Sequence, residues 1–494
     1  MIQVPAGPES HSSGGRHAGG VGSEDGAGPS NWQRSQAFPE RLPSETPLSW
    51  RVGAAAVLAG GFGAGFAAAT GRAGRLLPLL TAGVALGSAV PIAVASRRPP
   101  ISPTGAERAL ASASTKPTFS VVVGARDEEA ALPHLIADLA RQDYRGSDGR
   151  PLFEIIVVDD RSTDGTGPAA LQSAREHGLE DILRVVERRG DGLPDGKGAA
   201  LTAAQPDICR GDVVLVLDAD ARLQPQFLRR AAGYFAAGAD ALTARRRILG
   251  ADRGWLEGAQ ADEQTLDGEI NRGRWAMGGC SEFRGNGIMI RRELLAAVGG
   301  WRASALTEDT DLSSRVAAVT GRGVAWAIDA EVWEEPVSKP AALWSQRKRW
   351  AEGALRRFLE HGPAVLRSRM LAPGAKVDFA IYGAQLAVPP IVLGAAVGAL
   401  ARGRARGLAA ILAGYFGASA LLAWDSLRWS PDDGAAGGHR RRASRSVRVS
   451  LFNGLWLAAV PRALVSIALS HGPIRYVKME HEGAGEPGAA ERDR

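Results

Sequence analysis

Hydrophobic and polar positions divide the chain into blocks of different texture. Residues 1–47 are rich in Gly, Ser, Pro and Glu with almost no aliphatic periodicity, and residues 471–494 read the same way, so both ends are expected to be disordered tails. The first of them lacks the short basic-then-apolar pattern of a cleaved secretion signal. Two uncharged apolar stretches follow, Val52 to Thr70 and Leu76 to Ser96, each long enough for the ~20 helical residues that cross hydrocarbon. The interval 48–98 is therefore predicted to hold two transmembrane helices. The run Gly60-Gly61-Phe62-Gly63-Ala64-Gly65 lies in the first. No strand precedes it, so close packing of helices through small residues is a better reading than a dinucleotide fingerprint.

From Phe119 to about Ala327 short β-rich runs alternate with helical patterns, which predicts an α/β domain over 117–335. Candidate strands are Phe119 to Val123, Phe153 to Val158, Ile182 to Val186 and Val213 to Leu217. Their nearly continuous apolar character suits a largely parallel sheet covered on both faces. A Trp/Arg-rich helical stretch occupies 336–370 and is read as amphipathic and interfacial. Three further apolar segments fall within 376–470: Val377 to Leu400, Leu408 to Trp424 and Val449 to Ser470. Asp378 and Arg462 lie inside or beside two of them and the middle one is short, so they are spans or interfacial helices. Orientation stays open: the arginines of 428–448 point to one side as cytoplasmic, and Arg402, Arg404 and Arg406 point to the other.

Charge sharpens this picture. The chain carries a formal net charge of +6, and residues 401–448 alone hold nine arginines and three aspartates, which is the same +6. Excess charge flanking apolar runs favours a bilayer with anionic headgroups over nucleic acid, which would call for a basic folded face with interleaved aromatics. Arginine outnumbers lysine 53 to six, so a surviving lysine such as Lys197 draws notice. Cys209 and Cys280 are too few for a disulfide scaffold or a four-thiolate centre. The eight histidines show no ligand-like spacing, so zinc is not expected.

In open α/β sheets, ligands bind beyond the carboxyl ends of the strands. Three of the predicted strands end in acids, running into Asp127-Glu128-Glu129, Asp159-Asp160 and Asp218-Ala219-Asp220. Like charges gathered at one edge are costly unless a cation or a donor-rich ligand sits there, and a hard divalent ion bridging a diphosphate would resolve the repulsion. Asp159 to Gly165 is equally a turn capping the next helix. An EF-hand counted from Asp160 fails at its twelfth position, where Leu171 stands. Further on come Gly285-Asn286-Gly287, Thr307-Glu308-Asp309 and Gln346-Arg347-Lys348-Arg349-Trp350.

Taken in order, the Asp-Asp turn, Asp-x-Asp, Thr-Glu-Asp and Gln-x-x-Arg-Trp over about 117–360 resemble the family 2 inverting glycosyltransferases of the membrane-integrated branch that includes cellulose and hyaluronan synthases. The resemblance implies a GT-A, Rossmann-like catalytic domain on a multi-pass membrane protein, facing the cytoplasm. Position by position it implies that Glu128, Asp160, Lys197, Asp218, Gln346, Arg349 and Trp350 bind a nucleotide sugar. It further implies that Asp218 and Asp220 hold Mg2+ or Mn2+, that Asp309 is the catalytic base, and that Asn286, Glu308 and Trp350 face the acceptor. The family usually has Pro-Ala-Tyr-Asn-Glu where this chain reads Gly124-Ala125-Arg126-Asp127-Glu128, and often glycine where Arg161 stands. Gln346-Arg347-Lys348-Arg349-Trp350-Ala351-Glu352-Gly353 is similar to the branch that moves glucose from UDP-glucose to diacylglycerol, the β-monoglucosyldiacylglycerol synthases. That branch implies a UDP-sugar donor, a diacylglycerol acceptor and a β-linked monoglucosyl product. A processive polysaccharide synthase and a catalytically inactive nucleotide-sugar sensor are the alternatives. Oligomeric state is not legible.

Overall fold

Alternate residues of the core strands feed two different hydrophobic layers. In β1 (Phe119–Ala125), β2 (Phe153–Asp160) and β4 (Val213–Asp218), Val121, Val123, Ile155, Val157, Leu215 and Leu217 face one side. There they meet Leu132, Leu135, Ile136, Ala170 and Leu228 of the covering helices. Val122, Ile156, Val158, Val214 and Val216 face the other side, against Leu294, Leu295, Trp301, Leu312 and Val316. Burial of both faces is why these strands read as unbroken apolar runs.

The computed structural model describes residues 46–71, 89–91, 93, 99–190, 193–428 and 438–470. Its sheet has eight strands in the order β3-β2-β1-β4-β7-β6-β8-β5, with β3 at Leu183–Arg188, β5 at Arg222–Leu223, β6 at Ala241–Ile248, β7 at Ile288–Arg291 and β8 at Ala325–Glu334. The four strands predicted from sequence form the parallel half. Beyond them β7 runs antiparallel to both β4 and β6, so the sheet is mixed. Register brings the acids together, because Ala125 lies opposite Asp159 and Gly124 opposite Asp218.

Among the described residues, four helices are long and apolar enough to cross a membrane: Leu48–Thr70, Pro373–Ala401, Ala405–Leu427 and Gly438–Leu469. They include all three C-terminal segments predicted above. Most of the predicted Leu76 to Ser96 helix and nearly all of both predicted tails lie outside the described residues. Asp378, the carboxylate inside one span, accepts hydrogen bonds at 3.0 Å from Arg274 Nε and Nη2 and at 2.8 Å from the Cys280 N–H. The α/β domain thereby neutralises a charge that would be costly in an apolar segment.

The helix Pro340–Arg367 differs from the expectation of a basic face lying on lipid. Arg347, Arg356 and Arg357 are buried and paired with Glu263, Glu352 and Glu282. Arg347 and Arg357 turn inward because acids on neighbouring elements answer them, and Arg356 is answered by Glu352 one turn back on the same helix.

Glu282 is a hub that joins three elements. It receives Arg357 Nη2 at 2.6 Å, Arg284 Nη1 at 2.9 Å and Arg274 Nη1 at 3.4 Å. Burial alone would raise its pKa, but Arg357, Arg274 and Arg284 outweigh that and hold it at about 2. A depressed carboxylate contributes stability that is fully present above its unfolded pKa and is lost as pH falls through the folded value. Folded stability is therefore expected to drop between about pH 4.5 and about pH 2. Glu282→Gln should lower stability at neutral pH and flatten that acid limb, as read by thermal unfolding across the range. An unchanged limb would exclude Glu282 as its source.

Candidate functional site

Beyond the strand ends, two loops are stitched together by local hydrogen bonds. The N–H groups of Asp127, Glu128 and Glu129 donate to Ser162 Oγ, Thr166 Oγ1 and Asp164 Oδ2. Within the second loop, Asp159 Oδ1 accepts from the Ser162 N–H. Two residues here adopt left-handed backbone, Asp127 at φ 53° and Arg161 at φ 59°. That geometry is costly for a long side chain, and it explains why glycine suits the position of Arg161. Arginine is held there by what it binds: its Nε donates to Asp160 Oδ1 at 3.0 Å and its Nη2 to Asp195 at 2.7 Å. Arg188 Nη1 reaches the same Asp160 oxygen at 2.7 Å. Asp160 is thus a buried carboxylate clamped by two arginines that sequence reasoning does not single out.

Lys197 is no loop lysine in solvent. At the start of a short helix its ammonium contacts Asp218, donates to the Gly285 carbonyl at 2.8 Å and stands 3.5 Å from Glu308. Burial works against its charge, yet Asp218 and Glu308 outweigh burial and keep its pKa above the ordinary lysine value. Glu308 is itself buried, and burial holds its carboxyl above the usual range although Lys197 opposes this.

Asp309 opens the helix Glu308–Thr320. Its Oδ2 accepts the Gly285 N–H at 2.8 Å and its Oδ1 accepts the Thr310 N–H at 2.8 Å. Gly285 holds a positive φ of 61°, which lets its N–H turn toward the carboxylate. Thr307 stands at the cap position, but its hydroxyl pairs with Thr310 Oγ1 instead of capping the helix. Gly353 of the long helix presses on Thr307, where an added Cβ would lie 2.3 Å from Oγ1. The turn bearing Asp309 and the helix bearing Gln346, Arg349 and Trp350 are therefore in direct contact.

One cavity of about 640 Å3 takes in Glu128, Asp160, Lys197, Asp218, Asp220, Glu308, Asp309, Gln346, Arg349 and Trp350. Of the residues to which the family resemblance gives a role, Asn286 alone does not line it. Asn286 is fully buried, and its Oδ1 accepts the Asp218 N–H at 3.1 Å. It holds the end of β4 through that bond and does not itself line the cavity.

The cavity also contains Arg246, Glu263, Asp267, Arg284 and Tyr382, none of which the sequence distinguishes. Arg246 pairs with Glu334 through two nitrogens and lies 5.7 Å from the Trp350 ring centre. Arg347 stacks on the other part of that neighbourhood, 4.2 Å from the same ring. The triplet Arg245-Arg246-Arg247 in β6 is the available signal, masked by the abundance of arginine elsewhere.

Whether the donor set fits a cation can be judged from the acids themselves. Asp220 is pushed up to about 7, first by burial, then by Asp218 and Glu334. Partly buried oxygen donors repelling one another in this way fit a hard divalent ion. A second cluster, Asp311, Glu360 and His361, brings ligand atoms within 4.8 Å of one another. Arg302 and Arg315 already occupy its oxygens, which makes it an ion-pair network that braces the Asp309 helix against the long helix.

A GT-A fold with its acids at the strand ends and a cavity beneath them defines a glycosyltransferase domain. Residues 117–353 match the family described as "Glycosyltransferase like family 2", and this part of the chain is a domain of that family. Among curated proteins, the chain is 38% identical over 253 residues to a β-monoglucosyldiacylglycerol synthase of Synechocystis sp., covering 51% of this chain and 50% of that one. It is 33% identical over 259 residues to the protein of the same name from Nostoc sp., with 51% and 52% covered. The chain thus spans about half the length of the curated relatives it matches. Among solved structures, it is similar in fold to the mannosyltransferase PcManGT from Pyrobaculum calidifontis, solved with GDP-Man and Mn2+. That likeness has a TM-score of 0.51 at 21% identity, over 85% of this chain and 99% of that one.

Proposed function

We propose that this protein is a membrane-bound inverting glycosyltransferase that moves glucose from UDP-glucose onto the free hydroxyl of 1,2-diacylglycerol, giving the β-monoglucosyl lipid. The observation that carries the reading is the extent of the cavity. From Asp218, Asp220 and Asp309 it continues without a break to Leu386, Val388, Pro389, Leu422 and Val460 of the apolar helices. A donor reaches one end from water and an acceptor with acyl chains reaches the other from lipid. The names of the curated relatives agree with a glucosyl group and a diacylglycerol acceptor.

The residues divide the work. Glu128 and Asp160 border the nucleotide end, and Lys197 supplies positive charge near the diphosphate. A divalent ion, magnesium or manganese, held by Asp218 and Asp220 would offset the charge that grows on the departing diphosphate. Asp309 takes the proton of the acceptor hydroxyl as that oxygen attacks the anomeric carbon from the face opposite the leaving group. Gln346, Arg349 and Trp350 close the donor site, with the ring able to hold the sugar face. In this reading the catalytic domain faces the cytoplasm, where UDP-sugars are made, and the exposed Arg440 and Arg441 meet anionic headgroups.

Purified protein incubated with labelled UDP-glucose and diacylglycerol is expected to form an organic-soluble monoglucosyl product. Chelation should abolish it and Mn2+ or Mg2+ should restore it. A high-mass polymer formed without added lipid would reject the reading in favour of a polysaccharide synthase.

A further inference from the structure

The lipid end of the cavity is not uniformly apolar. Among its lining residues on the helices Ala405–Leu427 and Gly438–Leu469 are Tyr415, Ser419 and Asn453, three polar side chains inside candidate spans. They form one connected group. Asn453 Nδ2 donates to Ser419 Oγ at 3.2 Å, and Tyr415 Oη donates to the Asn453 carbonyl at 3.2 Å. Polar side chains in such segments are costly unless they bind one another or a ligand.

Two further observations mark this place. The helix Gly438–Leu469 tightens to a 3-10 turn at Asn453–Leu455, and the helix Pro373–Ala401 does so at Gln385–Ala387. Both irregular turns lie on the cavity wall, through Asn453 and through Gln385. Mid-helix 3-10 turns commonly accompany function. Among the described residues, the lining contributed by these three helices carries no charged side chain. Arg284, which touches it, donates to Tyr382 Oη at 3.1 Å and is already paired with Asp267 and Glu282, so this part of the wall suits a neutral lipid headgroup.

We infer that Ser419 and Asn453 form an ester-recognition subsite that hydrogen-bonds the acyl ester carbonyls of the acceptor, with Tyr415 as a positioning residue. This rests on the diacylglycerol reading given above. The donor inventory matches the ligand. Ester carbonyls only accept, and the contacts within the group leave the Ser419 O–H and the second Asn453 N–H to donate. The subsite lies on the same cavity as Asp309, so ester contacts on the lipid side would hold the free hydroxyl toward the base.

The test compares a diester lipid, 1,2-dioleoylglycerol, with its diether analogue, which lacks both carbonyls, in mixed micelles. The full-length wild type should favour the ester by about five- to tenfold in kcat/KM, the size of one or two hydrogen bonds. In Asn453→Leu and Ser419→Ala the KM for the ester should rise and the preference should fall toward one. The KM for UDP-glucose should move less than about twofold. Should Asn453→Leu fail to fold, Ser419→Ala removes a single oxygen and carries the same comparison. An ester preference that persists in the variants, or a loss of donor binding alongside acceptor binding, overturns the subsite. A wild type that glucosylates neither lipid overturns the acceptor reading itself, which separates the two failures.

Discussion

Asp309→Asn is expected to lower glucosyl transfer by about 10^2- to 10^4-fold, the range that a positioned general base contributes. The carboxamide keeps the shape of the side chain, and its one oxygen can still accept the Gly285 N–H that now lies 2.8 Å from Oδ2, while the Thr310 N–H loses its side-chain acceptor. What it loses is the ability to take the acceptor proton. Donor affinity, measured by titrating UDP-glucose with its metal, should stay near the wild-type value because the proposed nucleotide end lies at Glu128 and Asp160 on the cavity wall. Turnover retained within a few-fold would remove Asp309 from the mechanism while leaving the fold intact.

Arg347→Met should be the most damaging change among the residues that touch no substrate. Arg347 is 1% exposed, pairs with Glu263, donates to Gln346 Oε1 at 2.6 Å and stacks on Trp350. Glu263 in turn accepts the Trp456 indole N–H at 3.3 Å, so one buried pair ties the donor-site helix to a candidate span. Burial pushes the Glu263 carboxyl up and the Arg347 guanidinium down, each against the pull of its partner. Removing only the cation leaves a buried carboxylate uncompensated, at a cost of about 3–5 kcal/mol. Replacing both, as Glu263→Gln with Arg347→Met, should recover much of that loss in denaturant unfolding. Activity should not return with it, since Gln346 and Trp350 have lost their support. A double variant no more stable than the single one would show that the pair is not the source.

Several features are legible in the amino-acid sequence because they depend on local pattern. Val121, Ile155 and Leu215 stand in unbroken apolar runs, and such runs commit a segment to a strand buried on both faces whatever its neighbours are. Asp160 and Asp218 are visible because they close strands at the carboxyl edge of the sheet, where ligands bind. Asp309 is visible only through its motif, since acids at a helix start are otherwise ordinary. The second half of the sheet is less visible. Strand β6 carries Arg245-Arg246-Arg247 in its second half, and β8 carries Asp329 and Glu331, so neither reads as a core strand. They become strands because Arg247 pairs with Glu331 and Arg246 with Glu334 across their shared edge.

The sequence by itself determined the alternation of strands and helices, the apolar segments, and the identity of the acids that converge at the sheet edge. Each follows from periodicity or from residue type at a strand or helix end, which are short-range properties. Only the tertiary structure decided that the arginines of 347–357 point inward, that Asn286 holds the Asp218 N–H, and that a single cavity joins the acids to the apolar helices. Those outcomes depend on which distant charge lies opposite each side chain, as Glu263 does for Arg347 and Glu282 for Arg357, and no local pattern encodes a partner some 80 residues away.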